Sequence, residues 1–175
     1  MTTGWDGYGI SRYSISLLPL HLLTLRVARS RIGVSEQGEN WGPEVERYLH
    51  AAGIHQPAPW CAAFVNYCAE VASDWKGVTS PLESVTLQAY VQSYYDWAEQ
   101  DNLFVEPADA GPGDLFLLWY GWLNRWGHIG FVQEVRDRTY DTIEGNAAKP
   151  GTRDARHVLT RTRKLTNAVA FVRWS

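Results

Sequence analysis

The apolar positions of this chain follow a helical period in its first part and a period of two after "PGD" (112–114). Leu22, Leu25, Val27, Ala28 and Ile32 predict a helix that ends near Gly33. Pro43 opens a shorter one, with Val45, Tyr48, Leu49 and Ala52 on its apolar side and Gly53 as its stop. The rigid lead-in "HQPAP" (55–59) delivers the chain into "WCAAFVNYCAEVAS", a third helix. A fourth is expected over about 84–99, with Val85, Ala89, Val91 and Tyr95 on one side. Five strands then follow: 114–120, 128–135, 139–145, 157–163 and 168–174. Helices first and antiparallel strands second predict an α+β fold in one domain, 22–175, behind an N-terminal arm, 1–21.

Composition narrows the function classes. The chain has 175 residues, 45% apolar and 20% charged, ordinary values for one globular domain. A net charge of -3 provides no basic face for nucleic acid. No stretch reaches the roughly 18 apolar residues of a membrane span. "ISLLPLHLLTL" (15–25) has the length of a signal-peptide core, but it holds a Pro and a His and lacks a small-residue cleavage site. It reads as the approach to the first helix. Nine Trp and nine Tyr are many for a core of this size. They suit either core and sheet packing or a groove for carbohydrate or peptide.

Both cysteines lie in "PWCAAFVNYC" (59–68). On a helix, seven residues rise about 10 Å, beyond the roughly 7 Å between bridged Cα atoms, so a disulfide is excluded. Neither C-x-x-C spacing nor nearby Cys or His suggests a metal. Cys61, Val65, Cys68 and Ala72 form one stripe, in which Cys68 reads as a small buried hydrophobe. Cys61 sits in the first turn, where free N–H groups and the helix dipole favour a thiolate. It is either structural or a nucleophile, and the second reading needs a base.

His21, His50, His55 and His157 lie in apolar, loop or charged settings that suit structural or solvated residues. His128 opens the strand "HIGFVQEV", and Gly130 on the same face leaves room for a neighbouring helix end. The next strand places Thr142, Glu144 and Asn146 on one face. Pairing through a turn at Asp137–Arg138 would return its far end to the level of His128. One of Glu144 and Asn146 would then orient the imidazole, completing a nucleophile–base–orienter set. Glu144 is favoured because a carboxylate also stabilises an imidazolium.

Five segments, in order, resemble the CHAP (cysteine, histidine-dependent amidohydrolase/peptidase) family. They are the 36–53 pattern E-x-x-E-N-x-G-P-x-V-x-x-Y-L-x-x-x-G, "PWCAAFV", "PGDLFLL", "GHIGFV" and "TIEGN". The resemblance covers about 25–173 and implies a papain-like enzyme that cuts bacterial peptidoglycan. It implies Cys61 as nucleophile, His128 as base, Glu144 and Asn146 as the orienting pair, and Gln56 as an oxyanion donor. Some members hold calcium in an acidic loop before the cysteine. Here "AAGIHQPAPW" has no carboxylate, so no calcium, and no other cofactor, is expected.

The loop "WYGWLNRW" (119–126) adds Trp119, Tyr120, Trp122 and Trp126, beside Trp60, as groove candidates for glycan or stem peptide; rim packing is the alternative. The expected reaction is amide cleavage through a thioester, either at the muramoyl–L-alanine amide or within the stem peptide. A phage lysin and an antibacterial effector both fit. An effector would add an immunity protein or delivery system as partner, and either would work at the wall or in the periplasm. The alternatives are a papain-like hydrolase or acyltransferase on another amide or ester, and a non-catalytic wall-binding module.

Overall fold

The computed structural model describes residues 17–149, 151–152 and 155–175. Most of the proposed arm 1–21 therefore lies outside the described residues. The first helix, α1, spans Leu20–Ser30 and starts directly after Pro19, two residues earlier than its apolar spacing suggests. Helix α2, Pro43–Ala51, starts after Gly42, whose φ of 132° and backbone neighbour Gln37 leave no room for a side chain. Helix α3 spans Cys61–Lys76 and ends on Gly77 in the left-handed conformation.

The expected fourth helix is shorter. Pro81–Ser84 forms a single 3-10 turn capped by the Ser80 hydroxyl, and α4 begins only at Val91 and ends at Gln100. Between them the chain is tied down by side chains. The Gln88 amide donates to Leu82 O, and the Tyr94 hydroxyl donates to Gln88 O. These bonds supply tertiary partners that periodicity cannot reveal.

Six strands make one antiparallel sheet: β1 Phe104–Val105, β2 Leu115–Tyr120, β3 Arg125–Val135, β4 Thr139–Ala148, β5 Ala155–Lys164 and β6 Val169–Val172. Their spatial order is β1-β6-β2-β3-β4-β5. Five correspond to the expected strands, and the two-residue β1 is an addition on the edge. The β3–β4 hairpin turns through Asp137–Arg138, closed by Arg136 N–H to Thr139 O at 2.7 Å. The fold is α+β, with helices packed on a C-terminal antiparallel sheet.

Alternation divides the sheet between two cores. Leu115, Leu117, Ile129, Phe131 and Ile143 pack with the helices, while Phe116, Val132, Tyr140 and Phe171 form a smaller cluster on the other face. Helix α3 is buried around most of its circumference, so its apolar stripe is wider than the Cys61–Ala72 row alone.

The space that lets α3 approach β4 comes from Gly145, where a Cβ would lie 2.6 Å from Phe64 Cβ. Gly130 serves differently from the expectation. Its vacancy is filled by Ile143 O, the Phe116 ring and Glu144 Cγ, all from neighbouring strands. A helix end does not enter there, because these strand neighbours already occupy the space.

Candidate active site

Cys61 is the first residue of α3 and is 6% exposed. The helix's first internal bond runs from Phe64 N–H to Trp60 O, so the N–H groups of Cys61, Ala62 and Ala63 precede the helical ladder. Two anchors fix the residue just before it. Trp60 N–H donates to Asn146 Oδ1 at 3.1 Å, and the Trp60 indole N–H donates to Glu36 Oε2 at 3.1 Å. Asn146 adopts a φ of 52° at a β4 irregularity, and its amide also donates to Asn40 Oδ1 at 3.4 Å. The 36–53 segment therefore holds the start of α3 through Glu36 and Asn40.

His128, on β3, lies near Cys61, close enough for the two side chains to interact electrostatically. Its Nε2 meets Glu144 Oε2 at 2.7 Å, which leaves Nδ1 for the sulfur. Glu144 is fully buried, and its remaining acceptor sites are occupied. The Thr142 hydroxyl and Arg163 Nε donate to Oε1, each at 2.6 Å, and Arg163 Nη2 donates to Oε2 at 2.5 Å. This is a bidentate arginine–carboxylate pair inside the sheet.

The electrostatics follow from these contacts. Burial pulls the His128 pKa down, but hydrogen bonds to Cys61 and Glu144, with their negative charge, outweigh it and raise it to about 9. Burial alone would raise Glu144. Hydrogen bonds from Arg163 and His128 and their positive charge overcome this and hold the carboxyl well below the usual carboxylate range. The Cys68 thiol, fully buried two turns deeper in α3, is pushed well up by desolvation.

Cys61, His128 and Glu144 thus meet at one point. Asn146 accepts a hydrogen bond from the Trp60 backbone N–H, at the β4 irregularity that interrupts the strand's alternation. Gln56 lies exposed in the loop before α3. Trp60 does not line a groove. Its side chain is 0% exposed, packed on Tyr48 and tied to Glu36.

The other aromatic candidates divide into two groups. Trp119 and Trp126 contact each other edge to face, and Trp126 stacks on Tyr95 of α4 at 4.8 Å. Tyr120 stacks on Trp122, which is 79% exposed. The sequence reading gave no role to Arg163 or Thr142. A signal for Arg163 was present: on neighbouring strands, alternation puts Arg161 and Arg163 on the same face as Tyr140, Thr142 and Glu144.

Among the described residues, no three His, Cys, Asp or Glu side chains gather as a metal site. No described helix is long and apolar enough to cross a membrane. No curated protein and no solved structure matches the chain. The family model for the CHAP domain matches residues 53–146, a span that runs from the loop before Cys61 to Asn146. The chain belongs to the CHAP family, papain-like amidases and peptidases that act on peptidoglycan.

Proposed function

We propose that the protein cleaves an amide bond of peptidoglycan with Cys61 as nucleophile, His128 as general base and acid, and Glu144 as the group that orients and charges the imidazole. The observation that carries this reading is the 2.7 Å bond from His128 Nε2 to buried Glu144, on an imidazole that interacts electrostatically with Cys61. It joins a thiol at a helix start to a histidine whose other nitrogen is already engaged.

In the first half-reaction the Cys61 thiol passes its proton to His128 Nδ1, and the sulfur attacks the amide carbonyl carbon. The carbonyl π pair moves onto oxygen, where the free Cys61 N–H donates to it; one such donor is worth about 3 kcal/mol. On collapse the C–N bond breaks, and the leaving nitrogen takes the proton from Nδ1. Water then gives a proton to Nδ1 and attacks the thioester. The C–S bond breaks, releasing the new carboxyl group and restoring the thiol. Asn146, Asn40 and Glu36 support the chemistry indirectly by fixing Trp60, and Trp122 offers an exposed ring for glycan or peptide.

Purified sacculi digested with the wild type and with Cys61→Ala, followed by mass spectrometry of the soluble muropeptides, test this reading. New fragments from the wild type alone are expected. A free L-alanine amino terminus with intact glycan identifies the muramoyl–L-alanine amide, and a new terminus within the stem identifies an endopeptidase. Equal release by both proteins overturns the assignment of Cys61. Binding of sacculi without release points to the non-catalytic module.

A further inference from the structure

The register of the β2–β3 pair places one more side chain at this site. Leu118 pairs with His128, but the next pair is Trp119 with Trp126, so Gly127 is an extra residue on β3. This bulge keeps Trp119 and Trp126 together on the helix side of the sheet. Tyr120, two residues beyond Leu118, shares the face of His128. The missing side chain of Gly127 makes room for it, since a Cβ there would lie 2.5 Å from Tyr120 Cδ2. Trp122 stacks on the phenol at 5.5 Å and 22°. The ring is therefore held between a bulge glycine and an indole.

Its hydroxyl has no hydrogen-bond partner among the described residues, although the side chain is half-buried beside charged groups. A buried-edge phenol usually finds a partner. Burial and the nearby Cys61 charge raise its pKa, so it remains a neutral donor at working pH. The Cys61 N–H is one oxyanion donor, and a second donor beside it would strengthen that stabilisation.

We propose that the Tyr120 hydroxyl donates a hydrogen bond to the oxyanion formed when Cys61 attacks the substrate amide. This rests on Cys61 being the nucleophile. The role gives Gly127 a purpose: any side chain there would displace the ring that carries the donor.

Tyr120→Phe removes only the hydroxyl. It should lower kcat about 10²-fold, with little change in KM, the scale for loss of one oxyanion donor. An aldehyde analogue of the fragment that carries the cleaved carbonyl forms a thiohemiacetal with a similar oxygen, and its affinity should fall by a comparable factor. The rate at which iodoacetamide alkylates Cys61 should not change, because that displacement forms no oxyanion. Gly127→Ala should reproduce part of the kcat loss.

Unchanged kcat and aldehyde affinity in Tyr120→Phe would overturn the proposal. So would a change in KM alone, or a parallel fall in the alkylation rate, which would make Tyr120 a positioning residue for the sulfur. Alkylation of wild-type Cys61 tests the underlying reading separately: if it leaves hydrolysis intact, the nucleophile assignment itself is at fault.

Discussion

Helix α3 carries two cysteines on one stripe, and their surroundings could hardly differ more. Cys61 stands where the helix starts, beside a charged network that runs through His128 and Glu144 to Arg163. Cys68 lies two turns inward, fully buried, with its thiol held protonated by desolvation. The residue type is the same and the helix is the same. The difference is what the sheet brings to each position. A strand carrying a histidine meets the first turn, whereas at the third burial dominates and the nearby Arg31 charge offsets it only in part.

The sharpest way to break this comparison is alkylation. A limiting dose of iodoacetamide on the folded protein should modify Cys61 first and abolish peptidoglycan hydrolysis, and Cys61→Ala should abolish it with the fold intact. Peptide mapping and a muropeptide assay read both. Preferential labelling of Cys68 would invert the assignment.

A second test separates the two ends of β4. Glu144→Gln should reduce turnover on the order of 10²-fold, the lower range for loss of acid–base support. Asn146→Ala, which loosens the Trp60 backbone but leaves His128 its carboxylate, should cost less. Circular dichroism checks that both variants fold, since a neutral amide in place of the carboxylate leaves the Arg163 charge uncompensated. If Asn146→Ala proves the more damaging, the start of α3, rather than the imidazole, limits the chemistry.

The charge network also fixes a pH dependence. His128 has a pKa raised from 6.5 to about 9 in the folded state, so its contribution to stability is complete below 6.5 and is lost as pH rises through about 9. Glu144 is shifted down from 4.5, so its contribution is complete above 4.5 and is lost as pH falls through its depressed value. Both are fully present between these two unfolded-state values. The alkaline limb of kcat/KM should lie near pH 9, where the imidazolium loses the proton that the leaving amine needs. Glu144→Gln should move that limb to lower pH and flatten the loss of stability between 6.5 and 9. Activity titrations and urea unfolding at several pH values measure these effects.

The smallest expected effect belongs to the quieter thiol. Cys68→Ala should keep kcat and lose about 1 kcal/mol of stability, the scale for deleting one small buried group. A change in kcat would show that the two cysteines are coupled through the helix.

What local pattern encodes was readable from the chain alone. Pro43 and Gly53 mark helix limits, the strands after Gly113 alternate, and the Asp137–Arg138 turn folds β4 back so that Glu144 reaches His128. These follow from steric and periodic rules that act over a few residues. The tertiary structure decided the rest. It shortened the fourth helix through the Gln88 and Tyr94 bonds, and it buried Trp60 against Tyr48. It brought Asn146 to the start of α3 and assigned the bidentate partner of Glu144 to Arg163, 19 residues away. Bulges, buried indoles and diagonal contacts depend on which neighbour fills the space, and no period along the sequence records that.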